Sequence, residues 1–306
     1  MVNVDAGGGD RLALAVVVQY RMATTEQMHL LTAPGVRIEQ TRRRLAKLRA
    51  EGLVDRITLP QAGRTRVWFP TEYGARIAAS WPELRNFAPR LRRGSDPTAV
   101  RLAAGHRLTV TETALAFVRD ARRRGDVCMP LDWIPEVHHP LGNGEAVIPD
   151  GLFYYERRSQ DRDGGDGWRL LRAFVEVDRA TMGPERLSAK VGAYARLHAY
   201  VPVPGGRTPP RRYGAEQQEA AWKRRCPLFP RLLFVLDGTG PRGIEHRFQA
   251  LNATARQATP PGFLRAVPVL VAALADLLRN GPSAPVWRPI HDLGQRLSWM
   301  APHRKA

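Results

Sequence analysis

Cysteine is nearly absent from this chain: Cys128 and Cys226 are the only two in 306 residues. Two thiols so far apart in sequence give neither a disulfide framework nor a zinc cage. Apolar runs of membrane-spanning length are missing as well. The richest stretch, FLRAVPVLVAALADLL, is interrupted by Arg265 and Pro268. The N-terminal MVNVDAGGGD lacks the basic-then-apolar order of a secretion signal, so a cytoplasmic protein with no membrane partner is expected. Acid is also scarce relative to base, with 29 Asp and Glu against 47 Lys and Arg, a formal charge of +18. An Arg-rich genome would explain the Arg-to-Lys ratio but not that excess. A field of this sign attracts polyanions, and the planar guanidinium suits phosphate, so nucleic acid is the leading partner class. The 43% hydrophobic content supports one large domain or two to three smaller ones.

The first eighty residues alternate helix and turn signals. DRLALAVVVQYR (10–21) is dense enough in apolar residues for a buried helix. ATTEQMHLL begins with Thr24 or Thr25 as a cap and has Met28, Leu30 and Leu31 on its apolar side. After the turn at APGV, RIEQTRRRLAKLRAEGLV is helical, with Ile38, Leu45, Leu48 and Leu53 inward and Gly52 at its end. DRITLP and TRVWFPT, separated by QAGR, form a hairpin, and TEYGARIAA closes the segment as a helix. Helix, helix, basic helix and hairpin is the order of a winged helix-turn-helix over residues 10–80. The basic helix would enter the major groove of double-stranded DNA. Gln40 and Arg43 are then candidates for base edges, and Arg37, Arg42, Arg44 and Lys47 for phosphates. Arg64 and Arg66 at the hairpin tip would reach neighbouring phosphates.

Residues 81–100 are rich in Pro and Arg and are expected to link this domain to a second one over 101–280, with 281–306 as an extension. The second domain opens with the helix HRLTVTETALAFVRDARRRGD, in which Glu112 occupies an early turn. Three strands forming a meander are expected in MPLDWIPEVHHP, AVIPDGLFYYE and WRLLRAFVEVDRA. The helix GPERLSAKVGAYARLHAY, the strand RLLFVLDG, the helix GIEHRFQALNATARQ and the apolar run from Phe263 follow. In FVEVDRATM (174–182), alternation puts Phe174, Glu176 and Asp178 on one strand face. Two carboxylates so close repel each other unless a cation lies between them. Asp150, after Pro149 on the neighbouring strand, can converge with Glu176 on one divalent ion. His138 and His139 are adjacent on a strand and so face opposite ways, which excludes a shared metal. Tyr154, Tyr155 and Tyr194 could be nucleophiles only beside a histidine metal cluster, and none is evident.

At these residues the chain resembles known families. IPDG followed by FVEVDRAT looks like a variant of the PD-(D/E)xK nuclease signature, on a mixed α/β restriction-endonuclease-like core. With the N-terminal basic helix and the Lys190–Tyr194 pair of SAKVGAYARL, the chain resembles the replication-relaxation family over roughly residues 10–240. That resemblance implies a role in plasmid or mobile-element DNA processing, with Mg²⁺ or Mn²⁺ as cofactor. Asp150, Glu176 and Asp178 would be the metal ligands. Asp178 stands where the nuclease signature usually has lysine, and Lys190 on the next helix is the candidate replacement. Arg179 is a weaker candidate, because a regular strand points it to the other face. Glu112 resembles an additional acidic residue that some members carry. The alternative is a non-catalytic DNA-binding replication or transcription factor with a degenerate nuclease fold. Homodimerisation is compatible with both domain types, although no heptad or apolar seam argues for it.

Overall fold

The computed structural model describes residues 9–60, 63–84, 97–142, 144–160, 166–181, 183–201, 221–224 and 228–302. The chain forms two compact units. One comprises the chain up to Pro135 with Gly151–Leu171 and Leu277–Pro282; the other comprises Glu136–Asp150, Arg172–Asp276 and the chain from Ser283.

In the first unit, α1 (Gly9–Tyr20) is apolar on all sides because it is covered on all sides: Ala13 to Val18 are at most 3% exposed. Its buried Gln19 donates to the carbonyls of Leu131 and Trp133, which satisfies the amide nitrogen of the one polar side chain in that run. The short β1 (Ala23–Thr24) leads into α2 (Thr25–Thr32), capped by Thr24 in a reciprocal box with Gln27. Next come α3 (Ile38–Ala50), β2 (Val54–Leu59), β3 (Thr65–Pro70) and α4 (Glu72–Ala79). Gly52, at φ +72°, ends α3 as expected of a left-handed cap. The strands form a sheet of order β1-β3-β2, with Arg56 opposite Trp68 and Ile57 opposite Val67. The long α5 (Pro97–Arg124) begins nearly ten residues before the stretch expected to be helical. Residues 85–96 of the expected linker lie outside the described residues. Beyond α5, β4 (Trp133–Ile134) pairs with a strand of the same unit, β7 (Gly151–Gln160), placing Trp133 against Phe153.

In the second unit, β5 (His139–Gly142) and β6 (Glu145–Val147) make a small antiparallel hairpin. This hairpin interrupts the expected three-strand meander, whose strands still lie side by side in one sheet, and proline is the reason. Pro135 and Pro149 lack the N–H that a continuous ladder needs, and Glu136 turns at φ +51°. The stretch AVIPDGLFYYE is therefore split, and Asp150 lies in the bend between β6 and β7 instead of on a strand. The long strand β8 (Asp166–Asp178) begins in the first unit and ends in the second. There it pairs in parallel with β9 (Arg231–Leu236), Glu176 opposite Phe234 and Asp178 opposite Leu236. Between them in sequence lies α6 (Pro184–Ala199), and beyond β9 come α7 (Pro241–Ala258) and α8 (Pro261–Ala266). Parallel β10 (Val269–Ala273) and antiparallel β11 (Arg288–Pro289) complete a mixed sheet; α9 (Leu274–Asn280) lies between them in sequence and passes into the first unit at Leu277. LLFVL and VLVAA are almost wholly buried, as parallel strands covered on both faces must be. Trp287 and Trp299 are both fully buried, so the C-terminal segment is anchored by its aromatics. Residues 221–224 form a single 3₁₀ turn. Among the described residues no helix is long and apolar enough to cross a membrane.

Candidate functional sites

Two groups of residues carry chemistry, one in each unit. In the first unit, α3 buries Thr41, Leu45 and Leu48 and leaves its other side to solvent. Arg37, Gln40, Arg42 and Arg43 are exposed there and, with Glu39, line a shallow groove. Arg42 is 3.2 Å from Glu39, but both side chains are more than half exposed and the pair contributes little. Arg64 and Arg66 are exposed on the β2–β3 hairpin, where Gly63 and Arg64 both adopt a φ of 63°. The remaining two expected DNA contacts are engaged elsewhere. Arg44 Nε lies 3.0 Å from Asp10 Oδ1, and Lys47 Nζ lies 2.7 Å from Asp10 Oδ2. Burial pushes the Asp10 carboxyl up, but the hydrogen bonds from Lys47 and Arg44 outweigh it and leave it below the usual carboxylate range. Asp10 had no signal in the sequence, because its partners are 34 and 37 residues away.

Glu112 also belongs to the first unit. It accepts a hydrogen bond of 2.7 Å from Gln27 Nε2, the residue that completes the α2 capping box. Gln27 Nε2 also donates to Leu108 O at 3.2 Å, so Glu112 helps fix α2 against α5.

In the second unit, Asp150, Glu176, Asp178, Lys190 and Tyr194 come together. The bend at Asp150 lets its Oδ2 accept from Val177 N at 2.8 Å, so this carboxylate closes the backbone ladder near the end of β8. Glu176 is 2% exposed. Tyr194 Oη donates to its Oε1 at 2.6 Å, and Lys190 Nζ binds its Oε2. Burial raises the Glu176 carboxyl to about 7, and the Asp150 charge adds to the rise; Lys190 and Tyr194 oppose it. Burial by itself would lower the Lys190 pKa. The charges of Glu176, Asp150 and Asp178 outweigh burial and raise it above the ordinary lysine range, so the ammonium feels all three carboxylates. Lys190 and Tyr194 are one turn apart on α6, which is why both reach the same carboxylate. Phe174 meets the ring of Tyr194 at 5.4 Å, consistent with the strand alternation that places it beside Glu176. His139 packs edge-on against Phe174 at 5.0 Å.

Asp178 is wholly buried and ion-paired through Oδ2 to Arg247 of α7, while its Oδ1 has no hydrogen-bond partner among the described residues. Arg247 lies 69 residues downstream, and no periodicity or motif in the sequence points to it. The turn after β9 brings α7 to this edge. Asp237 N donates to Asp178 O at 2.8 Å, and Gly238, at φ +79°, approaches so closely that a Cβ there would lie 2.2 Å from Arg179 O. Among the described residues, no three His, Cys, Asp or Glu side chains are gathered in a metal-holding group.

The fold and this constellation define a mixed α/β protein with a buried carboxylate–lysine centre and a separate exposed arginine face. The chain belongs to the replication-relaxation family, whose model matches residues 14–206, a span that includes α3, Asp150, Glu176, Asp178 and Lys190. Neither the curated proteins nor the solved structures yield a match to this chain.

Proposed function

We propose that this protein binds double-stranded DNA in the replication or transfer of a plasmid or mobile element, and cuts it as a divalent-cation-dependent nuclease or nickase. The observation that carries the reading is Lys190, whose ammonium is drawn to Glu176 and feels Asp150 and Asp178 as well. It supplies from α6 the positive charge that Asp178 cannot supply from β8. Its position in the same unit as the three carboxylates supports reading them as the acid and lysine residues of a PD-(D/E)xK-like centre.

The oxygen-only donor set suits Mg²⁺ or Mn²⁺, and Asp178 Oδ1, without a hydrogen-bond partner among the described residues, offers an additional ligand atom. Asp150, Glu176 and Asp178 would hold the ion only by drawing closer around it, since they are not gathered into a metal-holding group without it. Such an ion supplies a more acidic water and offsets charge on the reacting phosphate. Lys190 orients the water and stabilises developing negative charge, and Tyr194 fixes the Glu176 carboxylate from the opposite oxygen. Arg247 holds Asp178 in place.

The N-terminal reading is a winged helix-turn-helix. The sequence of three helices and a hairpin supports it, together with the exposed Arg37, Gln40 and Arg43 on α3. The test is incubation with supercoiled plasmid and Mg²⁺ or Mn²⁺. Open-circular product from the wild type, absent with Asp150→Ala, is the expected result. A second reading, a DNA-holding factor without cleavage, draws on the internal pairing of Glu176 with Lys190 and Asp178 with Arg247. Duplex binding without nicking on any plasmid, including one from the same family of elements, would decide for it.

Binding can be tested separately. Arg43 is exposed, so Arg43→Ala should leave the circular-dichroism spectrum unchanged. Its removal is expected to weaken binding to the cognate duplex by about 1–3 kcal/mol, the loss of one base-edge contact, while leaving the slope of log K against log[salt] unchanged.

A further inference from the structure

The basic helix α3 does not present all of its cations to solvent. Asp10, at the start of α1, takes one oxygen to Arg44 and the other to Lys47. A carboxylate that bridges a guanidinium and an ammonium in this way occupies the place a DNA phosphate would take on the same pair. The first turn of α1 closes on the pair independently of the charge: at Gly9, a Cβ would lie 2.2 Å from the Arg44 guanidinium carbon. The Asp10 side chain is 11% exposed, whereas those of Arg44 and Lys47 are 24% and 43% exposed. The two cations are therefore within reach of solvent but already share one carboxylate from the inside.

We infer that Asp10 is an internal phosphate mimic that withholds Arg44 and Lys47 from DNA and fixes the α3 helix against α1. The inference rests on the DNA-binding reading of α3. It makes Asp10 a positioning residue that restricts the contact set to the outer row of Arg37, Gln40, Arg42 and Arg43. A protein with that restriction gains less from any phosphate backbone and depends more on what the outer row meets, because backbone contacts carry no sequence information.

The experiment measures the affinity of the full chain for a fluorescent, random-sequence 30-base-pair duplex across a salt series. Asp10→Asn releases two cations, so its log K against log[salt] should be steeper than wild type by about 1.8, from two added phosphate contacts. Its affinity relative to wild type should then fall by roughly tenfold between 50 and 200 mM salt. The triple variant Asp10→Asn, Arg44→Gln, Lys47→Gln should return to the wild-type slope, which a loosened fold would not do. Asp10→Glu, which keeps the bridge, should also match the wild type. A slope for Asp10→Asn equal to or shallower than wild type overturns the inference while leaving DNA binding itself intact. A wild-type chain that binds no duplex overturns the DNA-binding reading and this inference with it.

Discussion

Lys190→Met is expected to lower metal-dependent plasmid nicking by about 10²–10³-fold while leaving duplex affinity at the wild-type value. A partly buried charge is screened less than one in open solvent, so its loss at the reacting phosphate has a large effect. The substitution keeps most of the aliphatic length, and the Lys190 side chain is 30% exposed, so the fold has room for methionine. Glu176 then loses one partner but keeps Tyr194, and its carboxyl, already raised to about 7, can retain a proton instead of standing as an unpaired charge. The variant therefore separates chemistry from folding. Single-turnover nicking of supercoiled plasmid in Mg²⁺, scored as open-circular product against time, measures it. Nicking at the wild-type rate would remove Lys190 from the chemistry and leave it as a structural counter-ion of Glu176.

Arg247→Met should be the most destabilising single change at the carboxylate centre, costing about 3–5 kcal/mol. The side chain of Asp178 is 0% exposed, and one of its oxygens has no hydrogen-bond partner among the described residues. Without Arg247 the Asp178 carboxylate would remain in the interior without its direct ion-pair partner, and that desolvation penalty dominates the cost. The double variant Asp178→Leu, Arg247→Met removes both charges and should recover most of the loss, because an apolar pair of similar size needs no partner. Urea unfolding followed by circular dichroism measures both. Equal destabilisation by the single and double variants would mean that the loss came from packing and not from the buried charge.

Much of the local structure follows from residues a few positions apart. Thr24 and Gln27 announce the start of α2, Gly52 ends α3, and the gap between VDRITL and TRVWFP sets a hairpin. The alternation in FVEVD correctly groups Phe174, Glu176 and Asp178, and the spacing of Lys190 and Tyr194 puts both on one side of α6. These patterns are legible because helix and strand periodicities act within a turn or two. The position of Asp150 is a different case. The sequence suggests a strand residue, but Pro149 ends one pairing before the next begins, and the residue is released into a bend.

The sequence by itself determined the basic balance, the helical order of the first eighty residues, the strand bearing Glu176 and Asp178, and the family. Tertiary structure alone decided which charges meet. It gave Arg247 to Asp178 across 69 residues, Asp10 to Arg44 and Lys47 across 34 and 37, and Glu112 to Gln27 across 85. The physical reason is that secondary structure is chosen by neighbours along the chain, whereas the fate of a buried charge is chosen by whichever partner packing brings within about 3 Å. Asp178 illustrates both: its place on the strand is written in the alternation around it, and its counter-charge comes from a helix that no local pattern links to it.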